Sequence, residues 1–116
     1  MKNESIIQEI KELKKIRANW CNTFKTKSNA HNLLTEISIF KHTFSVHFPN
    51  SVKYFNRNSH AEINFTDAIS DLKRYSSSKL KVKDDDYFIN GLNNIHYGIN
   101  NLIMSLEMEL ESNEKE

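Results

Sequence analysis

A chain of 116 residues and 13.6 kDa supplies one domain with a single modest core, and two glycines with one proline are too few for the turns of a β-sandwich or barrel, so the composition points to an all-α fold. The formal net charge of +1 hides a dipolar chain: residues 1–58 carry ten Lys/Arg against four Asp/Glu, a balance of +6, and residues 59–116 carry six against eleven, a balance of −5. The chain lacks an apolar run of about eighteen residues and a basic start followed by an apolar block, which disfavours membrane spans and secretory signals and leaves a soluble, cytoplasmic protein as the expectation.

The first helix is expected over 5–26. Ser5-Ile6-Ile7-Gln8 has the form of a capping box, and Ile6, Ile10, Leu13, Trp20 and Phe24 share one stripe. Arg17 occupies the one seam position that is not apolar. A bare guanidinium in a core is costly, so Arg17 must snorkel to water, find an acidic partner or reach into an interface. A second helix, 29–48, carries Leu33, Ile37, Phe40, Phe44 and Phe48 and stops at Pro49. Phe40, His42, Phe44, Val46 and Phe48 also alternate with period two. An α+β fold with a short meander at 40–66 is therefore the alternative, although no glycine-containing hairpin turn follows.

Residues 49–58 form the only long connection, with a helical turn expected around Val52–Phe55. A third helix, 59–80, opens on a second capping box, Ser59 to Glu62, and presents Ala61, Phe65, Ala68, Leu72 and Tyr75 before fraying in Ser76–Ser78. The aspartates of KLKVKDDD precede a fourth helix, 86–113, where negative charge complements the helix dipole. Phe88, Leu92, Ile95, Ile99, Leu102 and Leu106 form its stripe, widened by Ile89, His96, Ile103 and Leu110. Residues 1–116 thus read as a single-domain four-helix bundle.

Recognisable catalytic chemistry is sparse. His31, His42, His47, His60 and His96 include no pair at i, i+3 or i, i+4, and the Glu-x-x-His pattern of di-iron bundles is missing, so no metal is expected. No glycine-rich phosphate loop or Gly-x-Ser-x-Gly elbow occurs, and no cofactor is expected. Cys21 has no histidine beside it in the sequence and reads as a small buried hydrophobe. The basic cluster Lys11, Lys14, Lys15, Arg17, Lys25 and Lys27 reads as a solvated face, and the near-neutral total argues against nucleic acid as a partner.

Apolar residues opposite the core stripes carry more information. At about 100° per residue, Tyr97, Met104 and Met108 point away from the core of the fourth helix, as do Ile39 and Val46 on the second. Contiguous exposed apolar residues mark interfaces, unless they stand singly or the 49–58 connection covers them. Together with Arg17 these five are the candidate partner-binding residues, for a protein partner or a homo-oligomer. The C-terminal run Glu107, Glu109, Glu111, Glu114 and Glu116 is unfavourable for the helix dipole, and either solvates the helix end or pairs with a basic surface of this chain, a second copy or another protein. Asn, Lys and Ile make up 40 of the 116 residues, and their A/T-rich codons suggest a low-GC bacterium, its phage or a plasmid. The expected function is non-enzymatic protein binding of the antitoxin, immunity, anti-defence or assembly-subunit type.

Arg57-Asn58-Ser59-His60 resembles the Arg-Asn-x-x-x-His element of HEPN ribonucleases, helical bundles in which an arginine and a histidine act on RNA at a dimer interface. The resemblance implies an alternative function, RNA cleavage by Arg57 and His60. The gap between them is two residues, shorter than in the family pattern, and shortening a helical spacing by two turns a side chain by roughly 200°.

Overall fold

Stripes of apolar side chains at three- and four-residue spacing build amphipathic helices that must bury one face against each other. The computed structural model of the protein describes residues 2–56, 59–77 and 85–114, and among these it contains four helices, α1 (Lys2–Cys21), α2 (Lys27–His47), α3 (His60–Ser77) and α4 (Asp85–Glu114). The described residues include no strand, so the 40–66 meander is not formed. The phenylalanines show why. Ring centroids lie 5.1 Å apart for Phe40 and Phe44 and 5.3 Å for Phe44 and Phe48, whereas four residues of strand would separate them by about 13 Å. Val52–Tyr54 forms the expected single turn, and Phe55 after it packs on Phe44 and Phe65.

α4 is the longest helix and packs against α3 on one side and α1 on the other, while α2 packs on α3. The molecule measures 55 × 22 × 20 Å, two helix diameters in each transverse direction. α2 and α4 are therefore diagonal. Leu13, Leu33, Ile37, Phe65, Leu72 and Ile99 are among the side chains closed off between the four helices. Each full burial of this kind contributes about 1.5–3 kcal/mol.

The closest packing is between α3 and α4. A Cβ on Gly91 would come within 3.0 Å of the Leu72 side chain, and one on Gly98 within 3.0 Å of the Phe65 ring, so the missing side chains let the two helices approach. α1 and α2, although consecutive, are packed much less closely. An open cleft lies between them, lined by Ile16, Trp20, Asn32, Leu33 and Glu36.

Several boundaries differ from expectation. Ser5 lies inside α1 and its Oγ accepts a hydrogen bond from Asn50 Nδ2 (2.8 Å), so it is not a cap. α1 ends at Cys21, short of 26, because the polar residues that follow turn the chain. The Thr23 amide donates to the Trp20 carbonyl (3.2 Å), Asn29 Nδ2 donates to the Phe24 carbonyl (3.1 Å), and Thr26 Oγ1 caps α2 by accepting from the Asn29 amide (3.0 Å). Phe24, expected in the core, is consequently 82% exposed. Ser59 does cap α3, accepting from the Glu62 amide (3.1 Å), and residues 78–80 of the expected third helix lie outside the described residues. On α4, Ile103 and Leu110 widen the buried stripe, but Ile89 and His96 are exposed.

One buried polar cluster has no counterpart in the sequence reading. The Glu9 carboxylate on α1 is buried and accepts from both main-chain and side-chain donors after Pro49: the Asn50 amide (3.1 Å), Asn50 Nδ2, the Ser51 amide (3.1 Å) and Ser51 Oγ (2.9 Å). It satisfies the turn leaving α2 and ties that turn to α1.

Candidate interaction face

The buried stripe of α4 fixes what the opposite side presents. With Phe88, Ile95, Ile99, Leu102 and Leu106 turned inward, Tyr97, Met104 and Met108 fall within about 40° of one another on the outer face. Met104 is 59% and Met108 67% exposed, and Tyr97 is also more than half exposed. Glu107 and Glu111 project from the same side, and the whole helix carries acidic residues with no lysine or arginine. On the α3 side, Asp71 accepts from Asn94 Nδ2 (3.2 Å). Burial pushes the Asp71 carboxyl above its ordinary value and the charge of Asp67 adds to this, against the hydrogen bond from Asn94.

Arg17 reaches the edge of this face from α1. Its guanidinium, half-buried, donates to Asn100 Oδ1, and Asn100 Nδ2 lies 3.0 Å from His96 Nε2. The seam arginine has therefore found a neutral amide of α4. Two residues of the acidic run are paired within the chain: Glu107 with Lys14 (3.7 Å), and Glu109 with Lys53 (2.5 Å) and Lys2 (3.8 Å). Glu109 also accepts from Tyr54 Oη (3.0 Å). Burial alone pushes the Glu109 carboxyl up, but the hydrogen bonds from Lys53 and Tyr54 and the nearby lysine charges outweigh it and hold the group below its ordinary value.

Ile39 and Val46 are exposed on the outer face of α2, Val46 by three-quarters, and the 49–56 connection leaves them uncovered. Because α2 and α4 are diagonal, the two apolar faces lie on different sides of the molecule. Beside Ile39 a groove runs between α2 and α3. Its apolar floor is Leu34 and Ile69, and Lys41 and Lys73 stand along it. Lys41 lies 3.8 Å from Glu62. Sequence reasoning missed this groove because its two walls come from different helices.

The remaining candidates separate. His60 is exposed at the start of α3, beside Lys53, Tyr54 and Asn101, whereas Arg57 and Asn58 lie outside the described residues. Cys21 is half-buried and lines a small cleft with Leu92 and His96, so a histidine distant in sequence does come near it. Burial pushes its thiol up, with the Arg17 charge acting in the opposite sense, and Sγ donates to the Leu92 carbonyl at 3.8 Å. A thiol so held stays protonated at neutral pH, the state of a structural cysteine. Among the described residues no group of three or more His, Cys, Asp or Glu could hold a metal ion, and no helix is long and apolar enough to cross a membrane.

In comparisons with known proteins no family model matches the chain, and neither the curated proteins nor the solved structures give a significant match.

Proposed function

We propose that this protein is a non-enzymatic helical bundle that acts in the cytoplasm by binding protein, through the outer face of α4 and a second surface on α2. The observation that carries this reading is the line of Tyr97, Met104 and Met108, three large side chains more than half exposed along one helix face. Aromatic residues and methionine are enriched in interfaces, and methionine adapts its shape to a partner. Arg17, held by Asn100 at the edge of the face, supplies a cation where the rim of an interface is polar. Roles of the antitoxin, immunity, anti-defence or assembly-subunit kind in a bacterium or phage suit such a bundle by association.

Met104→Lys tests the proposal. An exposed substitution changes stability by no more than about 0.5 kcal/mol, so the melting temperature of the isolated fold should stay near that of wild type. In a desolvated contact the same ammonium has no counter-charge and association should weaken by roughly tenfold or more. Unchanged association with its purified partner would overturn the role of this face. Wild-type RNA cleavage that disappears in both Arg57→Ala and His60→Ala would replace the binding reading with the ribonuclease one.

A further inference from the structure

Resting on the protein-binding reading, we infer that the partner of the α4 face is a second copy of this chain, docked head-to-tail on the α2–α3 groove. The two surfaces match in chemistry and differ in sign. The α4 face offers Tyr97, Met104 and Met108 with Glu107 and Glu111 on the same side, on a helix that has six acidic and no basic residues. The groove between α2 and α3 offers Leu34, Ile69 and the exposed Ile39 with Lys41 and Lys73 along it and no acidic residue in its lining; Glu62 stands 3.8 Å from Lys41, and Asp71 of α3 is turned to Asn94 of α4. An acidic amphipathic helix face lying in an apolar groove edged by lysines is a recurrent recognition geometry. Glu107 and Lys14 are each half exposed, and an exposed ion pair of this kind contributes so little that Glu107 can exchange its lysine for one on the partner.

The geometry then dictates the type of assembly. The outer face of α4 and the α2–α3 groove are separate surfaces, so a contact between unlike surfaces leaves one free at each end. Such a heterologous interface grows into a ring or an open filament, whereas pairing of like faces would close as a two-fold dimer.

Sedimentation of the full chain tests this. Wild type should grow beyond dimer as concentration rises and shrink as salt is added. Met104→Lys and Ile39→Glu should each sediment as monomers while keeping the wild-type circular dichroism and melting curve, with Met108→Lys and Lys73→Glu as a second pair should either of the first lose its fold. The decisive sample is the equimolar mixture of Met104→Lys and Ile39→Glu. Each chain keeps one intact surface, so the mixture should form a dimer and nothing larger. A wild type that stays monomeric at every concentration overturns self-docking. So does a closed dimer disrupted by Met104→Lys and indifferent to Ile39→Glu, the signature of α4 pairing with α4. A monomeric wild type that binds a different purified protein through Met104 overturns only this inference, whereas indifference of every association to Met104→Lys removes the underlying binding reading as well.

Discussion

Glu9 joins parts of the chain that are far apart in sequence. Its carboxylate receives the Asn50 and Ser51 amides and the Ser51 hydroxyl, and truncation would leave these donors without an acceptor in a buried place. Glu9→Ala should therefore lower unfolding free energy by about 2–4 kcal/mol, read as a lower urea midpoint, while Lys11→Ala on the exposed side of the same helix should change it little. Glu109 gives a pH signature. Its folded carboxyl is held below the ordinary value, so its contribution is present above the usual carboxylate range and is lost as pH falls through the depressed value. Lys53, raised chiefly by its hydrogen bond to Glu109, contributes below the usual lysine range and loses its contribution as pH rises through the raised value. Melting curves of wild type and Glu109→Gln should thus be furthest apart around neutrality and converge in acid and in alkali. Neither Glu9 nor Glu109 could be assigned from spacing. Their donors come from a connection more than forty residues away, and a carboxylate on a helix looks the same whether it faces water or a distant turn.

At the scale of elements, α3 and α4 depend on two small residues. Alanine is favoured over glycine in a helix by about 1 kcal/mol, whereas overpacking costs about 1–3 kcal/mol. At Gly91 the obstructing atoms belong to the Leu72 side chain, which can turn aside, so Gly91→Ala should be close to neutral. At Gly98 they belong to the Phe65 ring, which is stacked on Phe40 at 5.6 Å and packed against Phe55, so Gly98→Ala should be the more destabilising of the two in equilibrium denaturation. The helices themselves were legible where the four- and three-residue rhythm ran unbroken: Leu33 to Phe48, Ala61 to Tyr75, and Phe88 to Leu106 with Leu92 at its edge. The rhythm misled at Phe24. There Thr23, Thr26 and Asn29 bind main-chain groups and end one helix before the next, and local hydrogen bonding overrode the pattern. The outward direction of Tyr97, Met104, Met108, Ile39 and Val46 was also legible, because it follows from rotation about one helix axis. The groove beside Ile39 was not, because it depends on how α3 is placed against α2.

For the molecule as a whole, the main interhelical packing runs α2 on α3, α3 on α4 and α4 on α1, and the α1–α2 seam is the sparsest, closed by the Trp20–Phe40 ring contact and the Glu9 cluster beside an open cleft. The parts of such a bundle are unequally secured. α3 and α4 approach closely at Gly91 and Gly98 and are each flanked by a further helix, so their amide protons should exchange more slowly than those of α1 and α2. α1 and α2 are each held on one principal side, and the Glu9 cluster is the clasp between the start of α1 and the end of α2. At the other end of these two helices the 22–26 turn joins them directly and the buried Trp20 ring packs edge-to-face on Phe40 of α2 at 5.3 Å, so Trp20→Ala should loosen the α1–α2 seam and raise amide exchange in both helices more than in α3 and α4.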